Sequence, residues 1–183
     1  MTVLRPINGG FRRPFGTGWF IVESLKGKGP ADSKEIDPSI GSPMTDIHFE
    51  YKSALHRAHA KDAVEREEER RIRRGKPAYT EEEYRERLQY FLDRIPYKLH
   101  KMRYASFTRY FDHLKRLRWV EKTGKTEPST FQDDYPPAPP RVFYRLTKAG
   151  WKATALEISD PLMTLYNYSR EQRSSKRSRY IRT

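Results

Sequence analysis

From Tyr104 onward the chain admits one local reading. Phe107, Tyr110, Phe111, Leu114 and Leu117 recur at helical spacing, which places them on one face of a helix with 3.6 residues per turn. The spacing predicts a helix over 104–118, with Ser106 as a candidate N-cap. Its opposite face carries Thr108, Arg109, Asp112, His113 and Arg116. Trp119-Val120-Glu121-Lys122 then turns extended. Residues 123–140 are polar and contain Pro136-Pro137-Ala138-Pro139-Pro140, a loop of polyproline character. Arg141 to Leu146 alternates as a strand and is expected to pair antiparallel with 119–122. Thr147-Lys148-Ala149-Gly150-Trp151 opens a closing helix continued by Ala155, Leu156 and Ile158, with Thr147 as its cap. The fold class is therefore expected to be mainly α with a small antiparallel β wing.

Upstream, Ile21, Val22 and Leu25 sit at helical spacing, and Gly27 to Pro30 stops that helix. Asp32 reads as the N-cap of a second short helix at 32–36. A long helix spans 46–74, with a thin apolar stripe of Ile47, Tyr51 and Leu55 that fades into the charged run Glu65–Arg74. In that run Glu67 and Arg71, and Glu69 and Arg73, are spaced to pair on a solvated helix end. Thr80-Glu81-Glu82-Glu83 is a capping box ahead of a helix with Tyr84, Leu88, Phe91, Leu92 and Ile95 on one side. Pro96 kinks or ends it, and 97–102 reads as a further turn.

Charge sets the class of partner. Of 183 residues, 33% are charged and 36% hydrophobic, and the net charge is +13. The excess is only +1 in residues 1–46, then +4 in each of 47–103, 104–158 and 159–183. A positive excess spread so widely attracts polyanions. The chain has no cysteine, which removes thiol catalysis and cysteine metal sites and fits a reducing compartment. No apolar run approaches the ~20 residues a membrane span needs. Arg5, Arg12 and Arg13 lie in an N-terminal stretch broken by Asn8-Gly9-Gly10 and prolines, which reads as a flexible arm. The tail from Ser169 carries six Lys or Arg and one acid and reads as disordered.

The segments "SFTRYFDHLKRLRWVEKTG" and "RVFYRLTKAGW" resemble winged helix-turn-helix transcription regulators of the PadR and MarR kind. Leu114, Leu117, Val120, Glu121, Tyr144, Leu146, Thr147 and Gly150 occupy the matching places, and "WFIVESLKGKGPADSKEI" looks like the first two helices of that fold. The resemblance divides the chain into a flexible arm (1–16), a first winged-helix segment (17–43), a helical insertion (44–102), the recognition helix, wing and closing helix (103–158) and a basic disordered tail (159–183).

It implies a nucleic-acid-binding regulator, with DNA favoured over RNA. The recognition helix would present Ser106, Thr108, Arg109, Asp112, His113 and Arg116 to a major groove. Lys122, Lys125 and Arg141 would flank the wing, whose loop also contains the repelling Asp133 and Asp134. Arg173, Lys176, Arg177 and Arg179 would add contacts from the tail that do not read sequence. The expected location is cytoplasmic, and nucleoid-associated in a prokaryote.

No Ser-His-Asp order, phosphate-binding glycine loop or nucleophile elbow occurs. The chain is therefore expected not to be an enzyme and to carry no cofactor and no metal. His56 and His59 are one helical turn apart, but no third ligand is evident in the sequence. The stripes at 47–55 and 84–95 predict a homodimer seam within residues 47–95, because one small winged helix cannot bury both. The alternative function is a protein–protein assembly module on a winged-helix scaffold, with a basic tail that touches RNA or DNA without specificity.

Overall fold

The computed structural model describes residues 13–30, 32–129 and 139–169. In chain order these form α1 (Thr17–Leu25), β1 (Ser42–Pro43), α2 (Met44–Arg73), α3 (Glu81–Leu92), α4 (Tyr97–His100), α5 (Tyr104–Arg116), β2 (Val120–Glu127), β3 (Arg141–Leu146), α6 (Lys148–Lys152) and α7 (Ala155–Ser159). The chain is helical again from 161 to 169. The architecture is thus mainly helical with one small antiparallel sheet, as expected. The wing-loop acids Asp133 and Asp134, the arm up to Arg12, and Arg173, Lys176, Arg177 and Arg179 of the tail lie outside the described residues.

The sheet has strand order β1-β3-β2. Val120 pairs with Leu146, Glu121 with Arg145 and Lys122 with Tyr144; the register then shifts, and Thr126 pairs with Val142 and Glu127 with Arg141. The two segments expected to pair do so, and β2 runs five residues past Lys122, to Glu127. On the other side, Ser42 and Pro43 pair with Tyr144 and Phe143. Nothing in the sequence announced so short a strand. Gly41 makes room for it: its φ is +74°, and a Cβ there would stand 2.0 Å from the Tyr144 carbonyl oxygen.

Because β1 delivers the chain straight into α2, the first turns of α2 lie against α1 and α5. Phe20, Ile21 and Leu25 of α1, Ile47, Tyr51 and Leu55 of α2, and Phe107, Phe111 and Leu114 of α5 share one core and are 0–1% exposed. Each such side chain contributes about 1.5–3 kcal/mol by burial. Rings interlock at its centre. Phe20 lies 5.0 Å from Tyr51, and Phe111 meets Tyr144 edge-on at 4.9 Å.

This arrangement corrects five expectations. The stripe Ile47-Tyr51-Leu55 faces the protein's own core, so it has no free face for a dimer seam, and the first half of α2 is part of the central body, not of an insertion. What projects is the second half of α2 with α3 and α4. The short helix expected at 32–36 does not form. Asp32 instead adopts a left-handed φ of 68° and its carboxylate takes a hydrogen bond from Lys61 on α2, a tertiary contact that outweighs its capping tendency. The supposed arm is anchored by Phe15, which packs on Phe20 and Tyr51, while Arg13 donates to the Tyr51 hydroxyl at 3.3 Å. Nor does the tail begin at 159. Asp160 accepts the Met163 amide at 3.0 Å, and Pro161 follows it as a first helical residue.

The expected capping box is present at α3: Thr80 Oγ1 accepts the Glu83 amide and Glu83 returns to the Thr80 amide at 2.9 Å. A second box, Thr154 with Glu157, starts α7. The charged end of α2 is wired differently from the local pattern. Glu69 does pair with Arg73, but Glu67 bonds Arg87 of α3, and Arg71 pairs with Glu83 of α3. Contacts across the hairpin displace the pairing of Glu67 with Arg71.

Candidate nucleic-acid interface

α5 is held by its apolar face and ends in a Schellman turn. The amide of Trp119 bonds the Leu114 carbonyl at 2.9 Å and that of Arg118 bonds the Lys115 carbonyl at 2.9 Å. Arg118 takes the left-handed position, with φ 57°. Trp119, only 2% exposed, closes the turn against the core and launches β2. Thr147, at the end of β3, ties the elements together: its amide bonds the Trp119 carbonyl at 2.9 Å and its hydroxyl donates to the Arg118 carbonyl at 2.6 Å. The same hydroxyl oxygen accepts the Gly150 amide at 3.2 Å as the cap of α6. A helix followed by a two-stranded hairpin is therefore fixed at its junction.

The outer surface of α5 divides the expected residues into two groups. Arg109, Asp112 and Arg116 are exposed. Arg109 and Arg116 are two helical turns apart, about 10 Å along the axis, and among the described residues neither has an acidic partner. Asp112 accepts from Lys115 at 2.6 Å, so its negative charge is locally balanced. Ser106, Thr108 and His113 are half-buried. Ser106 is not a cap: Arg103 holds that position, and the Ser106 amide bonds the Arg103 carbonyl. The Thr108 hydroxyl donates back to the Ala105 carbonyl at 3.0 Å. The His113 ring packs beside Tyr110, and its Nδ1 is buried without a hydrogen-bond partner among the described residues. Ser106, Thr108 and His113 thus form the shoulders of the helix, and the two arginines its crest.

On the hairpin, Lys122 is exposed and has no acidic partner among the described residues. Lys125 lies over the Phe143 ring at 4.2 Å and 3.6 Å from Glu127, a cation held in place but still exposed. Arg141 is different. It pairs with Asp46 in the first turn of α2 and stands 3.9 Å from Glu127. That pairing ties the β2–β3 hairpin to α2 and sets Arg141 apart from Lys122 and Lys125, the other two cations expected to flank the loop. Sequence reasoning passed over Lys148 and Lys152, both exposed on α6 beside the same junction; their only signal was basic charge in the closing helix.

His56, His59 and His100 form a separate cluster at the root of the α2–α3–α4 projection. His56 Nε2 is 2.8 Å from the Leu92 carbonyl, and the His56 and His100 rings lie 4.5 Å apart. Burial lowers the pKa values of His59 and His100. Among the described residues no three His, Cys, Asp or Glu side chains are placed to hold a metal ion, and no helix is long and apolar enough to cross a membrane.

No family model, no curated protein and no solved structure matches this chain.

Proposed function

We propose that this protein binds nucleic acid, duplex DNA in preference to RNA, through α5 and the β2–β3 hairpin, as a winged-helix transcription regulator. The observation that carries the reading is that Arg109 and Arg116, on the exposed face of α5, have no acidic partner among the described residues. That helix is followed directly by a hairpin presenting Lys122. The element order α1, β1, α2, α5, β2, β3 with strand order β1-β3-β2 supports a winged-helix scaffold. So does the net charge of +13. In this arrangement a guanidinium at Arg109 can pair with both guanine acceptors in a major groove, while Arg116 and Lys122 neutralise phosphates.

The test compares Arg109→Ala with deletion of residues 169–183 on a duplex selected from a random library and on random duplex and RNA, across a salt titration. Arg109→Ala should lose about 1–3 kcal/mol on the selected duplex only. The deletion should weaken all ligands and flatten the salt dependence. Equal losses on both DNAs, or no binding by the wild type, sink the reading.

One observation favours the second reading, a protein-assembly module. Leu156, Leu162, Met163 and Tyr166 are 81%, 56%, 53% and 61% exposed within a short stretch of chain, and clustered exposed apolar groups mark protein contacts. Under that reading Leu156→Ser with Met163→Ser abolishes a complex while any nucleic-acid affinity is unchanged.

A further inference from the structure

The projection formed by the second half of α2 with α3 carries a cleft of about 750 Å³ at its tip. Its walls are tied together. Glu67 of α2 accepts from Arg87 Nε of α3 at 3.2 Å, and Arg71 of α2 stands 3.5 Å from Glu83 of α3. The loop between the helices is fixed as well. Gly75, with φ +74°, lets the Lys76 amide reach back to the Arg71 carbonyl at 3.2 Å. Arg71 Nε donates to the Pro77 carbonyl at 2.7 Å, and the Tyr79 amide donates to Glu68 at 2.8 Å. The Arg71 guanidinium also covers the Tyr79 ring at 4.7 Å.

These contacts consume Glu67, Glu68 and Glu83. Of the acids lining the cleft, Glu86 alone is left without a basic partner among the described residues. Three lining cations have no acidic partner there: Arg70, Arg74 and Lys76, all exposed. Here the acids brace the walls, and the surplus positive charge converges on one concave surface.

We propose that this cleft is a second binding site for the phosphodiester backbone of the nucleic acid that α5 engages. The proposal rests on the nucleic-acid reading above only for the identity of the ligand. Guanidinium groups pair two phosphate oxygens at once and lysine adds a mobile point charge, so Arg70, Arg74 and Lys76 suit phosphates spaced along a strand. Reach favours an extended polyanion over a short acidic peptide. Arg70 stands about 22 Å along α2 beyond Leu55 in the core, roughly two-thirds of the ~34 Å repeat of a duplex. The cleft thus stands well outside the body that carries α5, and only an extended ligand could meet both basic regions. The rings of Tyr79 and Tyr90 already carry guanidinium groups on their faces, so the site neutralises phosphates and does not stack bases.

The experiment measures salt-dependent anisotropy of labelled random duplex, random single strand and a poly-glutamate peptide with the full-length protein. The proteins are wild type, Arg70→Gln/Arg74→Gln/Lys76→Gln, Glu86→Gln and Arg109→Ala/Arg116→Ala, with melting curves on each. The triple variant should melt like the wild type and lower the log–log salt slope on duplex by about 2–3, near 0.9 per lost phosphate contact. Its preference for a selected duplex over a random one should not change. Glu86→Gln should tighten binding several-fold, a gain that misfolding cannot produce. If the wild type binds duplex and the triple variant keeps its slope, the cleft is not a backbone site. Binding of poly-glutamate but not of duplex also overturns the proposal, in favour of an acidic peptide. If the triple variant loses slope while Arg109→Ala/Arg116→Ala changes nothing, the cleft stands and the reading of α5 falls. If the single strand alone responds to the triple variant, the duplex assignment falls. Absence of all binding removes both proposals.

Discussion

The hydroxyl of Thr147 donates to the carbonyl oxygen of Arg118 at 2.6 Å and accepts the amide of Gly150 at 3.2 Å. One side chain therefore satisfies the turn after α5 and the first turn of α6 together. Thr147→Ala leaves both groups seeking water and removes an N-cap, which costs about 1–2 kcal/mol. Thr147→Ser should recover most of it. Chemical denaturation of the three proteins checks this, and equal midpoints for the alanine and threonine forms would contradict it.

Arg118 holds a left-handed backbone with φ 57°, a conformation that disfavours a side chain by about 1–2 kcal/mol. Glycine removes that strain at an entropic cost of about 0.5–1 kcal/mol. Arg118→Gly should therefore stabilise the fold slightly, by up to about 1 kcal/mol, seen as a higher melting temperature. A lower one would mean that the arginine side chain contributes more than its backbone costs.

At Gly150 the opposite holds. A Cβ there would stand 2.3 Å from the Trp119 carbonyl oxygen, and that oxygen accepts the Thr147 amide. Gly150→Ala must push α6 from β2 and break the tie, a loss of about 1–3 kcal/mol or more. If the alanine variant melts with the wild type, the close approach of α6 to Trp119 is absent in solution.

These positions show what could be read from the chain. Phe107, Phe111 and Leu114 repeat with the helix period, and Thr147 with Gly150 follows a local spacing, so α5, the start of β2, β3 and α6 were legible. The same logic misplaced Ile47, Tyr51 and Leu55. A stripe says that a helix has a buried face, but not which surface covers it, and the two-residue β1 that decides the matter has no period at all. At the candidate site, the exposure of Arg109 and Arg116 followed from their position on the wheel. The fate of Arg141 did not, because its partner Asp46 is distant in sequence. The surplus at Arg70, Arg74 and Lys76 was hidden for a related reason. Glu67 and Arg71 look self-paired along the chain, and only α3 draws them apart.

Protonation gives a fourth outcome. Burial lowers the pKa values of His59 and His100 from the ordinary 6.5, and Arg66, Lys52 and His56 add to the effect. The unfolded chain therefore takes up protons first as the pH falls. Both states are neutral above about pH 7, and stability declines as the pH drops through the unfolded value toward the lower folded ones. The depressed carboxyls of Glu83 and Glu157 act in a separate window, below their ordinary 4.5. Melting at about pH 5.5 should thus fall below melting at about pH 7.5, and His100→Gln should shrink the difference. A difference untouched by that substitution would place the titration elsewhere.

The last outcome separates clamp from contact within the β2–β3 hairpin. Arg141 pairs with Asp46, while Lys122 is exposed and has no acidic partner among the described residues. Both are cations on paired strands, so charge alone would give them the same role. The partly exposed pair between Arg141 and Asp46 contributes under about 1 kcal/mol of stability. A double-mutant cycle of Arg141→Gln and Asp46→Asn should recover that as a coupling term, since each single change breaks the same contact. Under the proposed function, nucleic-acid binding should respond in the reverse order. Lys122→Gln should lower the salt slope by about 0.9 with no change in melting, as expected for one lost phosphate contact. Arg141→Gln should lower the melting temperature and leave the slope in place, because its charge is already neutralised by Asp46. If Arg141→Gln flattens the salt dependence as much as Lys122→Gln does, the pair opens on binding and Arg141 is a phosphate contact after all.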